Sequence, residues 1–113
     1  MKLVNLTRHP IVIRPAAGGE LTIAPDGRLA LIATTFVVAG TLDVDGVAVH
    51  VSATQFGQPQ GVPEPEPGVV FIVSTPMAQK LARADVLSPD TGPTAIREAG
   101  QVVAVRGLQS FAL

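Results

Sequence analysis

Cysteine, tryptophan and tyrosine are absent from the chain, and phenylalanine occurs only four times in 113 residues. Lack of cysteine excludes disulfides, thiolate metal sites and a cysteine nucleophile. The shortage of aromatic rings removes the stacking platform on which single-stranded bases are usually held. Charge is scarce as well: Asp, Glu, Lys and Arg make up 15% of the residues, the formal net charge is −1 and the sequence pI is near 6.0. Basic residues are scattered rather than clustered, which excludes the electrostatic footprint of a general nucleic-acid binder. No apolar run approaches the ~20 residues that a membrane-spanning helix needs. The opening Met1-Lys2-Leu3-Val4-Asn5 lacks the apolar core of a signal peptide, so the expected location is cytoplasmic. Neither a Gly-x-Gly-x-x-Gly turn nor a P-loop nor a Gly-x-Ser-x-Gly elbow occurs.

What is abundant is aliphatic. Apolar residues make up 47% of the chain. A chain of this length builds one domain around one core, here expected over residues 1–113. With so little charge to cover its surface, part of the apolar area is expected to be buried against another copy, so the composition predicts a homodimer or other homo-oligomer.

The chain is organised around Val69 to Arg97. Val69-Val70-Phe71-Ile72-Val73 is wholly apolar and suits a strand buried on both faces. Ser74 or Thr75 then caps a helix with Pro76 in its first turn, and the spacing of Met77 and Leu81 predicts a short helix over Pro76 to Arg83. A loop follows that holds Asp85, Asp90 and Thr91.

Elsewhere the pattern is that of strands. Lys2 to Leu6, Ile11 to Ile13, Glu20 to Ile23 and Arg28 to Ala33 read as an antiparallel meander interrupted by His9-Pro10 and Pro25-Asp26-Gly27. Asp45-Gly46 between β-formers predicts a tight hairpin, with Val47, Val49 and Val51 on one side of the returning strand and Ala48, His50 and Ser52 on the other. Gln55 to Gly68 (QFGQPQGVPEPEPG) is rich in proline and glycine and predicts an extended connector. Thr94 to Arg106 reads as a closing hairpin. The expected fold is therefore mainly β: a compact antiparallel, barrel-like domain with one short helix.

Two polar segments are the candidates for a site. Asn5, Thr7 and His9 alternate, so an extended chain presents them on one face, where they form either a ligand-binding patch or a turn that ends a strand. Asp85, Asp90 and Thr91 are either binding groups on a loop between rigid elements or turn residues that cap free amides. Arg97 is expected either to pair with Asp85 or Asp90, or to hold a phosphate or carboxylate bidentately. A triad of His9, Ser74 and Asp90 lacks its expected context, and His9 and His50 offer no ligand spacing for a metal. The sequence therefore assigns no catalytic residue, metal or cofactor.

Val4-Asn5-Leu6-Thr7-Arg8-His9-Pro10 and Ser88-Pro89-Asp90-Thr91-Gly92-Pro93-Thr94-Ala95-Ile96-Arg97 resemble a family of small proteins of actinobacteria and their phages. That family opens with Asn-Leu-Thr-x-His and carries Pro-Asp-Thr-Gly-Pro near the end. Phe56-Gly57 to Gly68 and Ile72-Val73-Ser74 share in the likeness, while Arg8 stands where the family has proline and Phe71 where it has tyrosine. The resemblance implies no activity; it implies a phage or prophage setting, in which small β-rich proteins bind or block a target.

Together these readings predict a non-enzymatic protein whose Asn5 to His9 and Asp85 to Arg97 segments meet around a small polar, anionic, nucleotide-like ligand. The alternatives are a structural or assembly protein of a virion or complex, and a small hydrolase or lyase using His9 with Asp85 or Asp90.

Overall fold

In the computed structural model, which describes residues 1–112, the apolar run at the middle of the chain is the spine of the molecule. The elements follow in the order β1 (Lys2–Asn5), β2 (Ile11–Ile13), β3 (Leu21–Ile23), β4 (Leu31–Val44), β5 (Val47–Gln60), β6 (Val69–Ile72), α1 (Thr75–Leu81), β7 (Val86–Pro89), β8 (Ile96–Glu98), β9 (Gln101–Ala104) and β10 (Leu108–Gln109). The protein is mainly β with one short helix, as its sequence predicts.

β6 occupies the centre of a four-stranded sheet of order β1-β6-β7-β10. It pairs in parallel with β1 on one side and with β7 on the other, and only β10 runs antiparallel to its neighbour. This corrects the expected antiparallel meander at its first strand. β1 does not turn back onto β2; it lies beside the strand that follows Gly68, with Lys2 opposite Val69. The unbroken Val/Ile/Phe run of β6 is what a parallel strand covered on both faces requires. α1 makes the crossover to β7 and buries Met77 and Ala78. It begins one residue earlier and ends two residues before the expected limits. Ala82 adopts a left-handed conformation (φ 47°), and its N–H closes the last turn on Ala78 O.

The core forms on the two faces of this sheet. On one, Leu6, Phe71, Val73, Met77 and Val86 pack together; on the other, Ile72 meets Ile11, Ile13 and Val105. β2 and β3 form an antiparallel pair, and the predicted closing hairpin is present as β8 and β9. The separate sheets do not close into a barrel among the described residues.

β4 and β5 depart furthest from the expected compact shape. Each runs for 14 residues, paired only with the other, in a ribbon that turns at Asp45-Gly46. Both turn residues have positive φ (52° and 83°), as a two-residue hairpin demands, and Asp43 accepts a hydrogen bond from Gly46 N. A strand of this length spans roughly 45 Å, which accounts for a molecule of 57 × 35 × 27 Å. The residues expected to begin a connector at Gln55 instead continue β5 through Pro59 to Gln60. Proline is tolerated because each strand of a lone ribbon has a bare edge, and because Gly57 and Gln58 bulge opposite Ala33. At the base, Ala30 and Ile32 join the first core cluster.

Candidate functional site

The opening polar segment folds on itself. Asn5 is buried at the end of β1, and its Nδ2 donates to His9 O at 2.8 Å and to Ile23 O at 3.0 Å. Its Oδ1 accepts from Thr7 N at 2.9 Å and from the Thr7 hydroxyl at 2.6 Å, while His9 O also lies 3.1 Å from that hydroxyl. Asn5 thus fastens the turn to β3, and Thr7 completes the turn. The His9 side chain is exposed, and His9 borders a depression of about 320 Å³ together with Thr7, Arg8, Leu29 to Ile32 and Ser74.

Asp85 and Asp90 are not members of one long loop. Val86 to Pro89 between them is β7, with Val86 and Ser88 buried, so the two carboxylates sit at opposite ends of a strand. Asp85 accepts two hydrogen bonds from Arg83, Nε at 2.9 Å and Nη2 at 2.6 Å. That hydrogen bonding holds the Asp85 carboxyl below its ordinary range; partial burial opposes the shift and the Arg83 charge adds to it. Asp90 Oδ1 accepts from Gly92 N at 3.1 Å, the turn-capping arrangement.

Arg97 pairs with neither aspartate, contrary to the expected ion pair. Its guanidinium donates to Thr91 O at 2.8 Å and Gly92 O at 3.3 Å, which lie nearer along the hairpin than either carboxylate, and Arg83 already occupies Asp85. No residue of Asn5 to His9 shares a depression with Asp85 to Arg97; the chain just after the first segment does. Pro10 to Val12 and Pro89 with Thr91 border a depression of about 180 Å³ whose remaining wall is Val102 to Val105. It is lined mainly by aliphatic groups, and of the seven sequence-predicted residues only Thr91 borders it. His9 opens on the other depression, beside the base of the ribbon.

Two features escaped the sequence. The first is a polar cluster under the sheet edge: the Thr75 hydroxyl lies 3.3 Å from the buried Ser88 hydroxyl, and Gln109 Nε2 lies 3.4 Å from Thr75 and donates to Pro89 O at 3.2 Å. The second is the uncovered face of the ribbon. Residues directly opposite on paired strands share a face, so Val44 with Val47, Leu42 with Val49, and Gly40 with Val51 stand on one side. Ala39 is an extra residue without a partner, and beyond it Val37 opposite Ala53 continues the same stripe. The reverse side carries Thr41, Asp43, Ala48, His50 and Ser52 near the tip, and the exposed Val38 and Phe36 nearer the base. Leu42 is 57% exposed, Val47 62% and Val49 42%, where such side chains in a half-buried sheet would be covered. The alternation of 47–52 is legible in the sequence, but nothing there says that no part of the chain covers it.

Among the described residues, no group of three or more His, Asp or Glu side chains could hold a metal ion, and no helix is long and apolar enough to cross a membrane. Comparison with protein-family models, curated proteins and solved structures finds no match to the chain.

Proposed function

We propose that this protein is a structural assembly subunit whose β4–β5 ribbon is the element that joins it to its neighbours. The observation that carries this reading is the bare aliphatic stripe on a ribbon with which no other strand among the described residues pairs. An isolated two-stranded sheet is marginal in water, and a contiguous exposed apolar patch marks an association surface. Covering a half-exposed valine contributes about 1 kcal/mol, so a stripe of them supplies the driving force for binding. The likeness to small actinobacterial and phage proteins suggests a virion or phage-built complex as the setting.

Light scattering and sedimentation of the purified chain over a wide concentration range test the reading, with Leu42→Asp and Val49→Asp alongside. The wild type should associate and both variants should remain folded monomers. A wild-type ribbon that stays monomeric at millimolar concentration would sink it.

The second reading, a site for a small polar, nucleotide-like ligand, is favoured by one observation, the depression that Pro10 and Thr91 share. There a ligand would meet the Thr91 hydroxyl and an aliphatic wall. Thermal shift with a panel of nucleotides and cyclic nucleotides tests it, because a ligand that prefers the folded state raises the melting temperature. The shift should disappear in Thr91→Val; the absence of any stabilising compound in the panel counts against the reading.

A further inference from the structure

We infer that the occupant of the aliphatic stripe is the same stripe of a second copy, packed face to face and antiparallel across a two-fold axis at Gly40 and Val51. The inference rests on the assembly reading and adds the partner, the face and the register.

Gly40 is the first reason. It sits mid-strand, opposite Val51, at the middle of the stripe. Its φ lies outside the left-handed region, and a Cβ built on it would meet no atom of the chain within 4 Å. Neither backbone strain nor packing within the chain requires a glycine there, although glycine weakens a strand and often marks a place where another backbone comes close. The adjacent bulge does not account for it either, since the glycine type of bulge needs a positive φ.

Shape is the second reason. The missing side chain leaves a notch, and Val51 stands beside it as a knob. A two-fold axis running across the ribbon at this level sets the two notches against each other, so that the backbones approach at Gly40 while Val51 packs on Val51 beside them, the self-complementary contact that an isologous interface demands. Two stacked ribbons also form the aligned sheet-on-sheet arrangement in which inner-face side chains interdigitate.

Charge selects the direction. The only charged residues in 31–60, counting Asp, Glu, Lys and Arg, are Asp43 and Asp45 near the tip. Antiparallel packing sends each tip toward the other copy's ribbon base and keeps the two acidic pairs apart, whereas parallel packing would gather all four carboxylates at one end. A face two strands (~10 Å) wide and roughly 30 Å long covers about 300 Å² per copy, less than a standard specific interface, so self-association is expected to be weak, at about 100 micromolar or above.

Gly40→Val should leave the circular-dichroism spectrum and the melting temperature of the dilute monomer unchanged, because its side chain has open space. It should weaken self-association by about tenfold or more, since it overfills the notch. The cysteine-free chain allows a second measurement: with a short bis-maleimide, Val51→Cys should give covalent dimers and His50→Cys, on the opposite face, should not. The wild-type end point in light scattering should be a dimer. Assembly undiminished in Gly40→Val, equally fast cross-linking of His50→Cys, or an end point larger than a dimer would overturn the inference while leaving the assembly reading standing. A chain that is monomeric at millimolar concentration would overturn both.

Discussion

The body of this protein and its ribbon obey opposite rules. In the body, every strand that matters for the core places at least one side chain out of water, and the buried hydrophobic set from Val4 to Val105 includes none of the described side chains of 31–60. In the ribbon, geometry comes from local devices: the Asp45-Gly46 turn, a cross-strand register and two bulges. The body's aliphatic residues are explained by what they touch within the chain, and the ribbon's, apart from Ile32 at its base, are not. Apolar alternation therefore does not by itself imply burial within the same chain.

The comparison breaks or holds most visibly on phenylalanine. Phe71 is 1% exposed at the centre of the core and Phe36 is 74% exposed on the ribbon. Phe71→Ala should cost about 3–5 kcal/mol through lost burial and the cavity left behind. Phe36→Ala should change the stability of the dilute monomer by less than about 0.5 kcal/mol, as surface substitutions do. Urea denaturation of both variants checks this, and similar losses would mean that the ribbon is packed in the monomer.

Asn5→Ala should come next, at about 2–3 kcal/mol, because it removes the fully buried Asn5 side chain together with its part-buried hydrogen bonds to Ile23 O, His9 O and the Thr7 amide. The same measurement applies. A loss below about 0.5 kcal/mol, in the surface range, would show that the turn closes without it. Gly61→Ala tests the junction between the two regions. Gly61 has φ of 88°, and an added Cβ would lie 2.3 Å from Leu29 O, so the base of the ribbon must shift. A loss of about 1–2 kcal/mol is expected from the left-handed backbone alone, with amide exchange accelerated at the ends of β4 and β5 but not at the tip. Uniform acceleration along the ribbon would place its anchor elsewhere.

Local features of this fold were legible in the sequence. The Asp45-Gly46 turn, the buried β6, the short helix after Ser74 and the closing hairpin each depend on neighbours a few residues away. Pairings at long range were not legible: nothing in Lys2 to Asn5 distinguishes an antiparallel partner at β2 from the parallel one at β6, and nothing in Pro59 reveals that its strand has a bare edge. The hydrogen bonding of the candidate site residues was not legible for a related reason. Asn5, Asp85, Asp90 and Arg97 were recognisable as polar groups able to hold a ligand, but residue type does not disclose whether a group is already occupied. Thr7, Arg83, Gly92 and the Thr91 carbonyl, each within six residues in sequence, take up their hydrogen bonds.

The smallest effect sharpens the contrast in charge. Residues 31–60 contain no Lys or Arg, so the ribbon has no ion pair of its own, while the body holds Arg83 and Asp85 together with side chains 25% and 21% exposed. A partly buried bidentate pair of this kind contributes about 1 kcal/mol. Arg83 lowers the folded-state pKa of Asp85 below its unfolded value of about 3.9. The contribution is therefore complete above about pH 4 and disappears as pH falls through the lower, folded pKa. Asp85→Asn should accordingly be less stable than the wild type at pH 7, and the gap should close on acidification below pH 4. Denaturant titrations of both chains from pH 7 to 2.5 provide the comparison, and a gap that persists unchanged at the acid end would mean that the carboxylate's charge plays no part in holding α1 to β7.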